Sequence, residues 1–199
     1  VSSATNTLRE SVSIIVEDVR QNGDEALRRL TEKYDGALLE SFRVSTQEIE
    51  DAQQCLSQEE KDAIARAAKQ IEFFHEPQLG GEYTIQTAPG IECSRMIRPI
   101  EVVGLYAPGG TAPLPSTVLM LGIPAKLAGC TKRILCTPPS QDGCVAPAIL
   151  VAATQASISE IYKIGGAQAI AAMAYGTQTV PKVGKLFGPG NSWVTEAKL

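Results

Sequence analysis

Beyond Ile100 the chain repeats one unit four times: a short apolar segment, a loop containing Gly or Pro, then a helical pattern. The apolar segments are 101–106 (EVVGLY), 133–137 (RILCT), 160–164 (EIYKI) and 185–187 (KLF). Short, mostly continuous apolar runs of this kind are expected of parallel strands covered on both faces. The intervening helices are predicted at about 115–128, 146–156 and 166–175, with one more starting near 191. Pro115 and Pro147 fall in first-turn positions, where a missing N–H costs nothing. Strands joined by helical crossovers of uniform hand build a parallel sheet with helices on both sides. The predicted fold class is therefore α/β, with a parallel, doubly wound, Rossmann-like sheet.

The first half reads differently. Leu8, Val12, Ile15 and Val19 recur at spacings of four, three and four, which places them on one face of a helix ending at Asn22-Gly23. Asp24 is expected to cap a second helix that runs through Leu27, Leu30 and Tyr34 and stops at Asp35-Gly36. Ser45-x-x-Glu48 and Ser57-x-x-Glu60 fit the capping box, so two more helices follow, the second turning Ile64, Ala68 and Ile71 inward. Residues 82–98 alternate polar and apolar around Pro89-Gly90, a hairpin signal. The pattern divides the chain into 1–98, a helical scaffold with a β-hairpin forming part of an incomplete first α/β domain, and 99–199, a Rossmann-like α/β domain. The chain starts without Met and stops at Glu196-Ala197-Lys198-Leu199, which resembles the first turn of an unfinished helix and predicts truncation at the C-terminus.

Composition removes several classes of function. With 18 basic and 22 acidic residues the net charge is −4, and no basic stripe offers itself to nucleic acid. No apolar run reaches the roughly 18 residues of a membrane span, and the first residues lack a signal-peptide pattern. A soluble, cytoplasmic chain without membrane or nucleic-acid partners is expected. Five scattered cysteines without a C-x-x-C pair encode neither a disulfide framework nor a zinc knuckle. One histidine, His75, cannot make a zinc site of several imidazoles, and it reads as a helix-end residue rather than a base.

In a doubly wound sheet ligands collect at the carboxyl ends of the strands, so the chemistry is sought in four loops. These are Tyr106-Ala107-Pro108-Gly109-Gly110, Thr137-Pro138-Pro139, Gly165-Gly166-Ala167-Gln168 and Gly188-Pro189-Gly190-Asn191-Ser192. Three of them carry glycines, which either make tight turns or let the backbone approach a ligand beside a helix N-terminus. The usual dinucleotide fingerprint is missing. Gly188-x-Gly190-x-x-Trp193 puts an indole where a third glycine belongs, and there is no P-loop. Gln168 and Asn191 would each bring an amide to the mouth of the crevice, Asn191 serving equally well as a plain helix cap. Tyr106 either stacks on a ligand ring or closes the core. Glu101 and Lys163 are expected in solvent, Cys136 in a buried strand, and Glu82, Glu92 and Arg95 on the surface of the ribbon, where such an arm could grip a partner subunit.

The motifs Val103-Gly104-Leu105-Tyr106-Ala107-Pro108-Gly109-Gly110, Ile164-Gly165-Gly166-Ala167-Gln168-Ala169-Ile170-Ala171-Ala172 and Phe187-Gly188-Pro189-Gly190-Asn191 resemble the histidinol dehydrogenase family. So does the N-terminal stretch from Val16 to Leu27, and the resemblance covers nearly the whole chain. It implies NAD-dependent oxidation of L-histidinol to L-histidine through histidinaldehyde, by a zinc-containing homodimer of which this chain is the N-terminal half. It also implies that Tyr106, Gln168 and Asn191 contact NAD. The family's Glu-His acid–base pair and its zinc ligands would lie further along, so no catalytic or metal residue is expected in this chain, which alone would be inactive. Two departures appear: Ala107 where a larger β-branched residue is usual, and Gly184 where an Asp is usual. Two other readings stay open, a catalytically silent fragment or dimerisation module, and a related NAD-linked dehydrogenase acting on a sulfonated diol.

Overall fold

The computed structural model describes residues 2–109, 112–158 and 160–199. Four helices come first: α1 (Ser2–Asn22), α2 (Asp24–Asp35), α3 (Thr46–Cys55) and α4 (Gln58–His75). A two-stranded antiparallel ribbon follows, β1 (Tyr83–Ala88) and β2 (Ile91–Arg95), exposed along both strands. Then β3 (Val102–Tyr106), α5 (Pro115–Leu127), β4 (Lys132–Thr137), α6 (Pro147–Gln155), β5 (Glu160–Lys163), α7 (Gly166–Tyr175), β6 (Lys185–Phe187) and α8 (Ser192–Glu196) alternate. Both capping boxes form, Ser45 with Glu48 and Ser57 with Glu60.

The four later strands make one parallel sheet in the order β5-β4-β3-β6. The chain thus winds outward from β3 to β5 and returns to the other side of β3, which creates a topological switch point beside that strand. The outer edge of β5 is not left open. The segment around Arg43 pairs antiparallel with it, Val44 N donating to Ile161 O at 2.9 Å and Lys163 N to Phe42 O at 2.8 Å.

Side chains alternate across the sheet and create two cores. Val103, Leu105, Leu135 and Ile161 face α3, α4, α5 and α6. Tyr106, Ile134, Cys136 and Tyr162 face α1, α2 and α7. Each fully buried aliphatic or aromatic side chain in these layers contributes on the order of 1.5–3 kcal/mol. Residues before and after position 98 therefore share both cores: Val12, Ile15 and Val19 of α1 lie with Ile170 and Met173 of α7, and Ile64 and Ala68 of α4 lie with α5 and α6.

Two sequence expectations are corrected. Asp24 is not the cap of α2; Gly23 holds that position, without a side-chain cap. The Asp24 carboxylate is buried and accepts from Thr179 N at 3.2 Å and from the Thr179 hydroxyl, while Asp24 N donates to Gln178 Oε1 at 2.8 Å. Lys163, expected in solvent, is 9% exposed and donates to Glu48 Oε1 at 3.0 Å. Both partners lie far away in sequence, out of reach of local pattern.

Candidate functional site

The carboxyl ends of β3, β4 and β5 and the first turns of α7 and α8 surround one cavity of about 940 Å³. That is at the upper end of the roughly 300–1,000 Å³ typical of small-molecule and cofactor sites. Tyr106, Gln168 and Asn191, singled out in sequence, all line it. Of the loop glycines, Gly109 and Gly166 also line it. Gly110 lies outside the described residues.

Tyr106 ends β3 and is 3% exposed. Its hydroxyl oxygen accepts from Gly166 N at 3.0 Å, so it satisfies one of the free N–H groups at the start of α7. Burial pushes the phenol above its ordinary range, and the nearby Asp35 carboxylate pushes in the same direction. The side chain thus closes the core and walls the cavity at once. Tyr106→Phe is expected to lower stability by about 1 kcal/mol, since Gly166 N–H loses its acceptor. Urea denaturation checks this, and an unchanged midpoint would show that the bond carries nothing.

Gly166 has φ +60°, a left-handed conformation that favours glycine. A Cβ there would also stand 2.7 Å from Gln168 Oε1, so the small residue gives the Gln168 amide its room. Gln168 is 2% exposed, in an otherwise apolar helix. Asn191 does cap α8, its side chain accepting from Val194 N at 3.1 Å. The cap engages the amide oxygen and not the amide nitrogen. Opposite, Gly188 brings the β6 loop against β3, and the Lys198 ammonium donates to the Gly188 carbonyl.

Sequence reasoning passed over other lining residues. Trp193, taken only as the residue that spoils a glycine fingerprint, lines the cavity and is 36% exposed. Asp35, taken only as a helix stop, also lines it. Its Oδ2 is buried without a hydrogen-bond partner, and burial pushes its carboxyl up to about 6. The signal available was an acidic residue at the C-terminal end of a helix, where the dipole disfavours negative charge. Cys136 is fully buried at the end of β4, with its thiol pushed well up, which removes it as a nucleophile. His75 is far from this chemistry in sequence and pairs locally, its Nδ1 2.9 Å from Gln78 Oε1. Glu82 of the ribbon is tied to Arg98 at 2.8 Å.

An orphaned carboxylate oxygen, two side-chain amides and glycines that let backbone approach fit a polar, hydroxyl-rich ligand such as a dinucleotide. The same residues do not fit a metal: among those described, no three His, Cys, Asp or Glu side chains come together to hold one. Nor is any described helix long and apolar enough to cross a membrane.

Comparison with known proteins agrees with the motif resemblance. A family model described as histidinol dehydrogenase matches residues 2–199. Histidinol dehydrogenase of Xanthomonas campestris pv. campestris is 52% identical over 198 residues, which cover 100% of this chain and 46% of that protein. Histidinol dehydrogenase of Mannheimia succiniciproducens is 53% identical over 196 residues, 98% of this chain and 45% of that protein. The crystal structure of histidinol dehydrogenase from Elizabethkingia anophelis superposes with a TM-score of 0.93 at 50% identity, covering 96% of this chain and 44% of that one. The chain thus spans a little under half the length of these relatives.

Proposed function

The chain belongs to the histidinol dehydrogenase family, and we propose that it forms the coenzyme side of an NAD-dependent oxidation of L-histidinol to L-histidine by way of the aldehyde. The observation that carries this reading is the convergence of Tyr106, Gln168 and Asn191 on one cavity at the switch point of a parallel sheet. When bound, NAD supplies a hydride acceptor. The residues of this chain bind and orient it. Gly109 and Gly166 let the backbone come close, and Gln168 and the Asn191 amide nitrogen offer hydrogen bonds. Tyr106 fixes the first turn of α7, so that Gln168 is held in place before the ligand arrives. The reading carries with it a cytoplasmic homodimer acting on a small molecule, consistent with an acidic chain unsuited to nucleic acid. Among the described residues the donor set does not fit zinc.

Trp193 is the single tryptophan of the chain and lines the cavity. Titrating NAD into the purified protein is therefore expected to change the emission of Trp193 saturably. Gln168→Ala is expected to weaken that binding about five- to tenfold, the worth of one buried neutral hydrogen bond. A calorimetric titration showing no NAD binding at millimolar concentration would sink the reading. Histidinol-dependent formation of NADH by the same protein tests the substrate.

A further inference from the structure

Asp35 is arranged against its own stability. It is the last residue of α2, at the negative end of the helix dipole. Its Oδ2 is buried without a hydrogen-bond partner, and desolvation raises its pKa to about 6. A carboxylate so placed in a cleft marks a residue kept for a ligand rather than for folding. Among the described residues that line the cavity, it is the only one with a formal charge, and none is Lys or Arg.

Its position is informative. Asp35 Oδ1 lies 3.1 Å from where a Cβ on Gly165 would stand, and Pro138 packs at the same point. Gly165 follows β5 and Pro138 follows β4, so the carboxylate sits over the β4–β5 side of the sheet. The Lys198 ammonium is tied to Gly188 on the β6 side. In doubly wound sheets an acidic residue at the end of the second strand of a mononucleotide-binding half receives a ribose hydroxyl. Here the second strand is β4, and its Thr137-Pro138-Pro139 end has no carboxylate. Asp35 brings one to that place from α2.

We propose that Asp35 accepts a hydrogen bond from the 2′-hydroxyl of the adenosine ribose and repels a 2′-phosphate, so that the cavity selects NAD over NADP. This rests on the coenzyme reading above. A hydroxyl donor supplies the partner that Oδ2 lacks, whereas a phosphate dianion meets an unscreened negative charge with no lining cation to offset it.

The test is isothermal titration of the full-length protein and its Asp35→Asn and Asp35→Ala variants with NAD, NADP and NAD lacking the adenosine 2′-hydroxyl. The wild type is expected to bind NAD and to discriminate strongly against NADP. Both variants should bind NAD about 10- to 100-fold more weakly, the range for a hydrogen bond to a charged group. They should also narrow the NAD/NADP ratio, and differ little from wild type towards the 2′-deoxy compound. Melting at pH 7 should be unchanged or higher in Asp35→Asn, because an unpaired buried charge has been removed. If the wild type binds NAD and Asp35→Asn keeps both the affinity and the ratio, the Asp35 assignment falls while the coenzyme cavity stands. A variant that melts well below wild type makes the carboxylate structural and also overturns the assignment. A wild type that binds neither dinucleotide removes the cavity reading and the assignment together.

Discussion

Gly188→Ala is expected to cost roughly 3–5 kcal/mol of folding stability and to deform the rim of the cavity. Gly188 has φ +141°, a backbone region closed to residues with a Cβ. An added Cβ would also stand 2.1 Å from the Tyr106 carbonyl oxygen, 2.9 Å from its carbon and 3.0 Å from its Cα. All three are backbone atoms at the end of β3, so no rotamer change relieves the clash. The strand pair β3–β6 is short, with Leu105 opposite Phe187 as its last register pair, and it would have to open. The displaced loop carries Asn191 with it, so NAD affinity should fall together with the urea midpoint. A variant with both quantities at wild-type values would show that the close approach of these two loops is dispensable.

Asp24→Ala should lower stability by about 2–4 kcal/mol. The carboxylate is 7% exposed and accepts from both the backbone N–H and the hydroxyl of Thr179. Truncation leaves the Thr179 hydroxyl without its acceptor and the Thr179 N–H with only the longer bond to Thr177 Oγ1 at 3.3 Å, and it removes a negative charge from the favourable, N-terminal end of α2. Asp24→Asn keeps an acceptor of the same shape and should recover part of the loss. The comparison of the two by chemical denaturation separates the hydrogen bonds from the charge. A loss below about 1 kcal/mol for the alanine variant would mean that the Thr179 turn finds other partners, since that is the worth of a single ordinary hydrogen bond.

The contrast between Asp24 and Ser45 explains what a sequence of this kind discloses. Ser45 and Glu48 satisfy each other within one turn, and the capping box was legible because everything it needs is local. The same holds for the apolar runs that became β3, β4 and β5, and for Gly36, whose left-handed φ of 71° ends α2 at Asp35-Gly36 as expected. Asp24 carries an equally plausible local signal, yet its carboxylate is claimed by Thr179, 155 positions away. Lys163 is claimed by Glu48 across 115 positions. Neither partnership leaves a trace in spacing.

The candidate site divides along the same line. Tyr106, Gln168 and Asn191 could be found because strand-end loops in a doubly wound sheet converge by topology. Asp35 and Trp193 could not, since α2 meets the β4 and β5 loops only after the sheet has formed, and a Trp in a loop-to-helix turn has no positional rule of its own. The burial of Tyr106 was open in sequence between stacking and core; its bond to Gly166 shows the hydroxyl engaged with the protein's own backbone.

Because α1 finds its cover in α7 and α8, the order of synthesis and the order of assembly run against each other. A newborn chain emerges from the ribosome with a greasy stripe along its first helix that α2 covers only in part, the rest staying wet until α7 and α8 have been made. Folding here is a closing of distant ends, slow by its topology and exposed to aggregation while it waits. Fast translation of the final helices, or a holdase on the first, should raise soluble yield more than any local improvement in helix propensity.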